Sequence, residues 1–285
     1  MRVGQLSRTA LGAARARALH QTSDEPRIFT DPVAVALAGA VDDAAGEVSA
    51  GKDVPDEARL FLAMRHRFAE DALAARAGEF GQVVVLGAGL DTFGVRNPYP
   101  HLTVYEVDHP DTQAWKRGRL AHAGIAVPDG LRFVACDFEN DDLASELRAQ
   151  GFDATIPTFF IWLGVVQYLT GEAVDATLSF IAELPAPAQV VIDYSEPPSA
   201  LPPQRRAVVE MLSTIMAGIG EPWLSLFTRD EIADKLTGFG YSEVEDLDWT
   251  AMLARYAPAS TAADQVGGHV LRAAHAGRAA RATAP

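Results

Sequence analysis

The chain has 285 residues, of which 48% are hydrophobic and 22% charged, a balance that supplies a sizeable core and excludes a disordered chain or one that is membrane-embedded in bulk. Its 24 Lys and Arg stand against 38 Asp and Glu, a net charge of −14, so a phosphate-neutralising surface for nucleic acid is not expected. The lone Cys136 excludes an internal disulfide or a thiolate metal site and fits a reducing cytoplasm, and the longest apolar run, 159–166, is far below the ~20 residues that span a bilayer.

In chain order, a helical pattern over 6–20 leads into a turn-rich 22–27 and an apolar 28–41, where Asp31 reads as a helix cap and Pro32 as a first helical residue. An acidic segment, 42–56, reads as a mobile loop before a helix over 57–76. Five short apolar runs then alternate with helical patterns: 82–86, 102–107, 131–135, 158–162 and 189–193. Continuous apolar strands separated by helices predict a parallel sheet covered on both faces. A Pro-rich connector leads to a helix around 207–216, and Thr228 with Glu231 forms a capping box for a helix ending near Gly238 and Gly240. Strands at 242–247 and 268–273 close the pattern. The expected organisation is a helical cap over 1–56, a ligand-binding domain over 57–273 and a frayed tail over 274–285.

The sharpest local feature is Val83-Val84-Val85-Leu86-Gly87-Ala88-Gly89-Leu90-Asp91-Thr92, a buried strand entering a glycine turn. Gly87 and Gly89 permit a tight bend and a close approach of backbone to a ligand, as adenosine-type cofactors require. A dinucleotide fingerprint places a small residue three positions after the second glycine, and Thr92 stands there, which disfavours a nicotinamide cofactor. The next strand ends in Tyr105-Glu106-Val107-Asp108, with carboxylates about twenty residues after the turn, where ribose hydroxyls would sit. Glu106 and Asp108 share a strand face, so both are candidates. The third strand ends in Asp137-Phe138, an acid and an aromatic suited to an adenine, although Asp137 alone also reads as a helix cap.

On the helix over 57–76, Arg67 has Glu70 and Asp71 as helical partners, which makes an ordinary ion-pair face. Arg65 lies about 200° away around the axis, among Phe61, Leu62, Phe68, Ala69 and Ala72. A guanidinium on an apolar stripe needs an anion from elsewhere, either a ligand carboxylate or a tertiary salt bridge. We read Arg65 as the holder of a ligand carboxylate.

With these residues in hand, the chain resembles a bacterial branch of the S-adenosylmethionine-dependent methyltransferases related to leucine carboxyl methyltransferase. The resemblance spans roughly 10–271 and rests on Arg65-His66-Arg67-Phe68-Ala69-Glu70-Asp71, the glycine turn, Tyr105-Glu106-Val107-Asp108-His109-Pro110, 133–138, 160–170 and Gly220-Glu221-Pro222-Trp223. It implies a Rossmann-like class I methyltransferase fold: seven strands, the last antiparallel, helices on both faces and a helical N-terminal cap. It further implies S-adenosyl-L-methionine as cofactor, with Arg65 on its carboxylate, Gly87 against its methionine part, Asp108 on the ribose and Asp137 with Phe138 around the adenine. Leu163 stands where the leucine carboxyl methyltransferases carry a glutamate, which removes one expected contact to the cofactor amino group.

The expected cofactor-binding set is therefore Arg65, Gly87, Gly89, Glu106, Asp108, Asp137 and Phe138, with no metal and no assigned catalytic residue. The expected partner is a small-molecule methyl acceptor, not nucleic acid or membrane, and the sequence is silent on oligomeric state. Displacement at an activated sulfonium requires no enzyme nucleophile, only alignment and desolvation. An ionised carboxylate acceptor needs no base, whereas a hydroxyl acceptor benefits from one. His20, His66, His109 and Tyr168 are possible helpers, each with a structural reading beside it: His109 as a cap next to Pro110, His66 on the outer face of its helix. The alternatives are a non-catalytic cofactor-binding or scaffold protein and, less favoured, a nicotinamide-dependent oxidoreductase.

Overall fold

The computed structural model describes residues 7–45, 55–258, 260 and 268–278. Three helices precede the sheet: α1 (Arg8–Ser23), α2 (Pro32–Ala45) and α3 (Asp56–Ala74). Then follow β1 (Gln82–Leu86), α4 (Phe93–Arg96), β2 (Thr103–Asp108), α5 (Pro110–His122), β3 (Leu131–Ala135), α6 (Leu143–Ala149), β4 (Thr158–Trp162), α7 (Gly171–Ala182) and β5 (Ala188–Tyr194). The chain continues through α8 (Pro203–Gly218), α9 (Arg229–Phe239), β6 (Ser242–Leu247), α10 (Trp249–Tyr256) and β7 (His269–His275).

The strands form one seven-stranded sheet in the order β3-β2-β1-β4-β5-β7-β6. β1 to β5 are parallel, and β7 runs antiparallel to both β5 and β6. Alternate residues of the central strands feed two cores. Val84, Leu86, Phe160, Trp162, Val190 and Ile192 pack with α6 and α7 through Leu147, Val174, Leu178 and Ile181. Val83, Val85, Phe159, Ile161 and Val191 pack with α3 and α10 through Met64, Phe68, Leu73, Trp249 and Met252. Burial on both faces is why these strands read as unbroken apolar runs.

Caps follow local chemistry. Asp31 Oδ1 accepts the Ala34 N–H at 3.0 Å at the start of α2, and the Thr228–Glu231 capping box opens α9. Three expected boundaries move. α2 continues to Ala45 and α3 starts at Asp56, so only part of the expected 42–56 loop is non-helical, and its 46–54 stretch lies outside the described residues. β7 extends to His275 because its ladder with β5 holds as far as Ala188↔His275. The expected tail from 274 therefore begins inside the sheet, and 279–285 lie outside the described residues. Strand order reverses between β1 and β4, and in open α/β sheets ligands bind beyond the carboxyl ends of the strands at such a point.

Candidate cofactor site

β1 delivers the chain to Gly87 and Gly89, both with positive φ, +62° and +47°. A Cβ at Gly87 would lie 2.3 Å from Val165 Cγ2 in the loop after β4, whereas at Gly89 the nearest atom, Ala10 Cβ, would be 3.4 Å away. Gly87 is thus required by close approach as well as by handedness, and Gly89 by handedness alone. The Gly89 N–H donates to Asp108 Oδ2 at 2.5 Å and the His109 N–H to Asp108 Oδ1 at 2.7 Å. Each carboxylate oxygen keeps a lone pair, enough to accept ribose hydroxyls. Burial pushes the Asp108 carboxyl above its usual range, against the pull of those two N–H bonds. His109 Nδ1 caps α5 by accepting the Asp111 N–H at 3.3 Å, as expected of a residue before Pro110.

The site continues across the sheet edge. The Cys136 N–H donates to the Asp108 carbonyl at 2.9 Å, which sets the end of β3 beside the end of β2. Asp137 Oδ1 accepts the Glu139 N–H at 3.0 Å and Oδ2 accepts Asn140 Nδ2 at 2.8 Å. Burial raises the Asp137 carboxyl, but these bonds outweigh it and hold the group below its ordinary value. The cap of α6 is Asp142, which leaves Asp137 at the strand end. Phe138 lies half-buried against the core beside it.

Arg65 meets this edge from α3. Its Nη1 pairs with Asp193 Oδ2 at 2.6 Å, and Asp193 Oδ1 accepts the Gly164 N–H at 2.5 Å. The anion demanded by an arginine on an apolar stripe is therefore supplied in part by β5. A guanidinium has five donors, and Arg65 Nε is buried with no hydrogen-bond partner among the described residues. A Cβ at Gly164 would lie 2.8 Å from Arg65 Nη2, so the loop after β4 passes directly over the guanidinium. Contacts thus run from Arg65 through Gly164, Val165, Gly87, Gly89 and Asp108 to Cys136, the residue before Asp137. A buried donor at one end and hydroxyl acceptors in the middle fit a carboxylate and a ribose, while the Cβ direction of Gly87 is taken up by Val165. Leu163, where a glutamate was expected from the resemblance, packs against the apolar cluster on the α3 face.

Glu106 departs from its expected role. It is 1% exposed and pairs with Lys116 Nζ of α5 at 2.6 Å, and a Cβ at Gly94 would lie 2.5 Å from its Oε1. Its carboxylate sits under α4 and α5 instead of in the crevice. A strand face shared with Asp108 does not imply a shared cavity, because α4 covers only the earlier position.

Above the turn lies a buried polar network that the sequence did not announce. Arg17 of α1 donates to the Leu90 carbonyl and lies 3.6 Å from Asp91 and 3.8 Å from Asp31. Asp31 Oδ2 accepts Thr92 Oγ1–H at 2.6 Å, and Arg96 makes a two-pronged pair with Glu70. His66 belongs to this network, not to the outer face of its helix. It is 5% exposed and stacks on Phe29 at 5.6 Å, and burial followed by Arg17 holds its pKa well below the ordinary value. His20 is fixed too: Nδ1 meets Asp24 at 2.9 Å, and Nε2 accepts the Ile28 and Phe29 N–H groups. Arg67 behaves as expected, bonding Asp71 at 2.8 Å on the exposed face.

A family model described as leucine carboxyl methyltransferase matches residues 10–182. A Mycobacteroides abscessus protein named by inference as an S-adenosyl-L-methionine-dependent methyltransferase is 32% identical over 263 residues, covering 89% of this chain and 84% of that protein. YktD of Bacillus subtilis, named likewise, is 37% identical over 169 residues, which span 58% of this chain and 55% of that protein. Among solved structures, one from Thermobifida fusca, described by inference as a methyltransferase, aligns over 96% of this chain and 97% of its own with a TM-score of 0.59 at 19% identity. At that identity the likeness is one of fold.

Proposed function

The chain belongs to the leucine carboxyl methyltransferase family and is an S-adenosylmethionine-dependent methyltransferase, and on that premise we propose that it methylates an oxygen, carboxylate or hydroxyl, of a small or medium-sized metabolite. The observation that carries the site is the edge from Arg65 to Asp137, with the buried Arg65 Nε unpartnered among the described residues at the end where a cofactor carboxylate would lie. In this reading Arg65, held in place by Asp193, binds that carboxylate. Gly87 and Gly89 give the backbone room, Asp108 accepts ribose hydroxyls, and Asp137 and Phe138 frame the adenine. Glu106 has no part. The bound cofactor supplies a methyl group already activated on a sulfonium, so the protein's task is alignment and exclusion of water.

Within the O-directed reading, a carboxylate acceptor is favoured. His20 and His66 are buried and bonded inside the fold, His109 spends Nδ1 on capping α5, and burial raises Tyr168 above its ordinary pKa so that it keeps its proton and can donate but not abstract. An acceptor that arrives ionised needs no base. The helices within 7–45 act as a cap over the domain that follows, the charge of −14 disfavours nucleic acid as acceptor, and the single buried Cys136 suits a cytoplasmic location. Among the described residues no helix is long and apolar enough to cross a membrane. A radiolabelled methyl-transfer screen against fractionated metabolite extract tests the reading. Base-labile label on an acidic small molecule is the expected result, and label only on nitrogen or carbon acceptors would overturn the O-directed assignment.

A further inference from the structure

We propose that Glu221 is a positioning residue that latches the first turn of α1 over the cofactor crevice, and that release of this latch governs cofactor exchange. The proposal rests on the crevice reading above. α1 has no acid in its own first turn, although the first N–H groups of a helix need acceptors and favour a negative charge. Glu221 supplies both from 213 positions away. The Arg8 N–H donates to Oε1 at 2.7 Å, and the Thr9 N–H and Thr9 Oγ1–H donate to Oε2 at 3.1 and 2.5 Å. Ser7 Oγ–H adds a longer bond to Oε2 at 3.3 Å, while Ser7 Oγ accepts the Ala10 N–H at 3.0 Å.

The end of α8 sets Glu221 in place. Gly220 has φ +84°, its N–H donates to the Ala217 carbonyl at 3.0 Å, and the Glu221 N–H donates to the Met216 carbonyl at 2.9 Å. This paired closure ends the helix, and Pro222 prevents its resumption. Just beyond, the Leu224 N–H donates to the Gln167 carbonyl at 2.7 Å and Ser225 Oγ–H to the Leu169 carbonyl at 2.7 Å. The arm carrying Glu221 is therefore tied to the loop after β4, the same loop that passes over Gly87 and Arg65.

Beneath the latch lies the glycine turn. Ala10 is the nearest neighbour to the Cβ position of Gly89, and the Tyr168 hydroxyl faces Thr9, Gln167 and Trp223. The two ends of α1 are held differently. Arg17, 5% exposed, is sunk into the polar network above the turn, while the Arg8–Glu221 bond is exposed. The first turn can lift without the rest of the helix leaving.

The test is stopped-flow release of S-adenosylhomocysteine from the full chain and from Glu221→Ala and Glu221→Gln, with thermal midpoints and amide hydrogen exchange of the first turn of α1. Glu221→Ala should speed release roughly tenfold, as expected for loss of several bonds to one charged group, and Glu221→Gln, which keeps one acceptor oxygen without charge and turns the other into an NH2 donor, should fall between. The Arg8 and Thr9 amides should exchange faster while the amides of β1 do not change. Folded variants with unchanged release rates, or altered rates without faster exchange at Arg8 and Thr9, would overturn the latch. Should Glu221→Ala fail to fold, Thr9→Val decides: it removes the hydroxyl that donates to Glu221 and neighbours Ser7 and Tyr168, and release must quicken severalfold. Failure of the unaltered chain to bind S-adenosylhomocysteine would remove the crevice reading and the latch together.

Discussion

The floor of the proposed site is built from strand ends and backbone: Gly87 and Gly89 at the end of β1, Asp108 at the end of β2 receiving N–H groups from Gly89 and His109, Asp137 just after β3. The roof is built from side-chain charge: Arg17, Asp31, Asp91, Arg96, Glu70 and, at its outer edge, Glu221. Backbone geometry in a sheet is shared by many bonds, so single floor residues fail by obstruction. Buried ions depend on each partner in turn, so the roof should fail by abandonment of an unpaired charge.

That contrast can be broken most severely at Arg17. Arg17→Ala leaves Asp31 and Asp91 with one cation fewer in a buried setting and should cost about 3–5 kcal/mol in denaturant unfolding. A loss near that of an exposed ion pair would mean the roof is not held by its charges. Gly87→Ala should cost about 1–3 kcal/mol and abolish cofactor binding, since its Cβ would lie 2.3 Å from Val165 Cγ2. Gly89→Ala, which meets nothing nearer than 3.4 Å, should lose only about 1 kcal/mol and retain weakened binding. Equal effects at the two glycines in parallel thermal melts and titrations would contradict the assignment of close approach to Gly87.

An effect of about the size expected at Gly89 is a pH dependence of the roof. The folded pKa of His66 lies below its unfolded value of 6.5, so below that pH the unfolded chain takes up a proton that the folded chain refuses. Stability from this group is present at neutral pH and declines as pH falls through 6.5, by up to about 1.4 kcal/mol per unit. Urea unfolding between pH 7 and 5.5 should show the slope, and His66→Phe should flatten it. An unchanged slope in that variant would assign the dependence to other groups.

The same contrast explains what could be read from residues alone. Strand ends announce themselves: an apolar run into Gly87, or one that stops at Asp108 or Asp137, is local information. Asp193 was legible in principle as a lone acid at the end of Val190-Val191-Ile192, but nothing local paired it with Arg65, 128 positions earlier. Roof contacts join Arg17 to Leu90 across 73 positions and Thr9 to Glu221 across 212, and no periodicity encodes such partners. Glu106 misled for the converse reason. Its strand position was right, and the helix that covers it became visible only with Gly94 packed on its carboxylate.

The most direct test of the site is isothermal titration of S-adenosylhomocysteine into the unaltered chain and into Arg65→Met combined with Asp193→Asn, which leaves no unpaired buried carboxylate behind. The predicted result is micromolar-scale binding that weakens by at least ~1.5 kcal/mol, about tenfold, in the folded double variant. Equal affinity in the two folded proteins would take Arg65 out of the site and contradict the account at its centre.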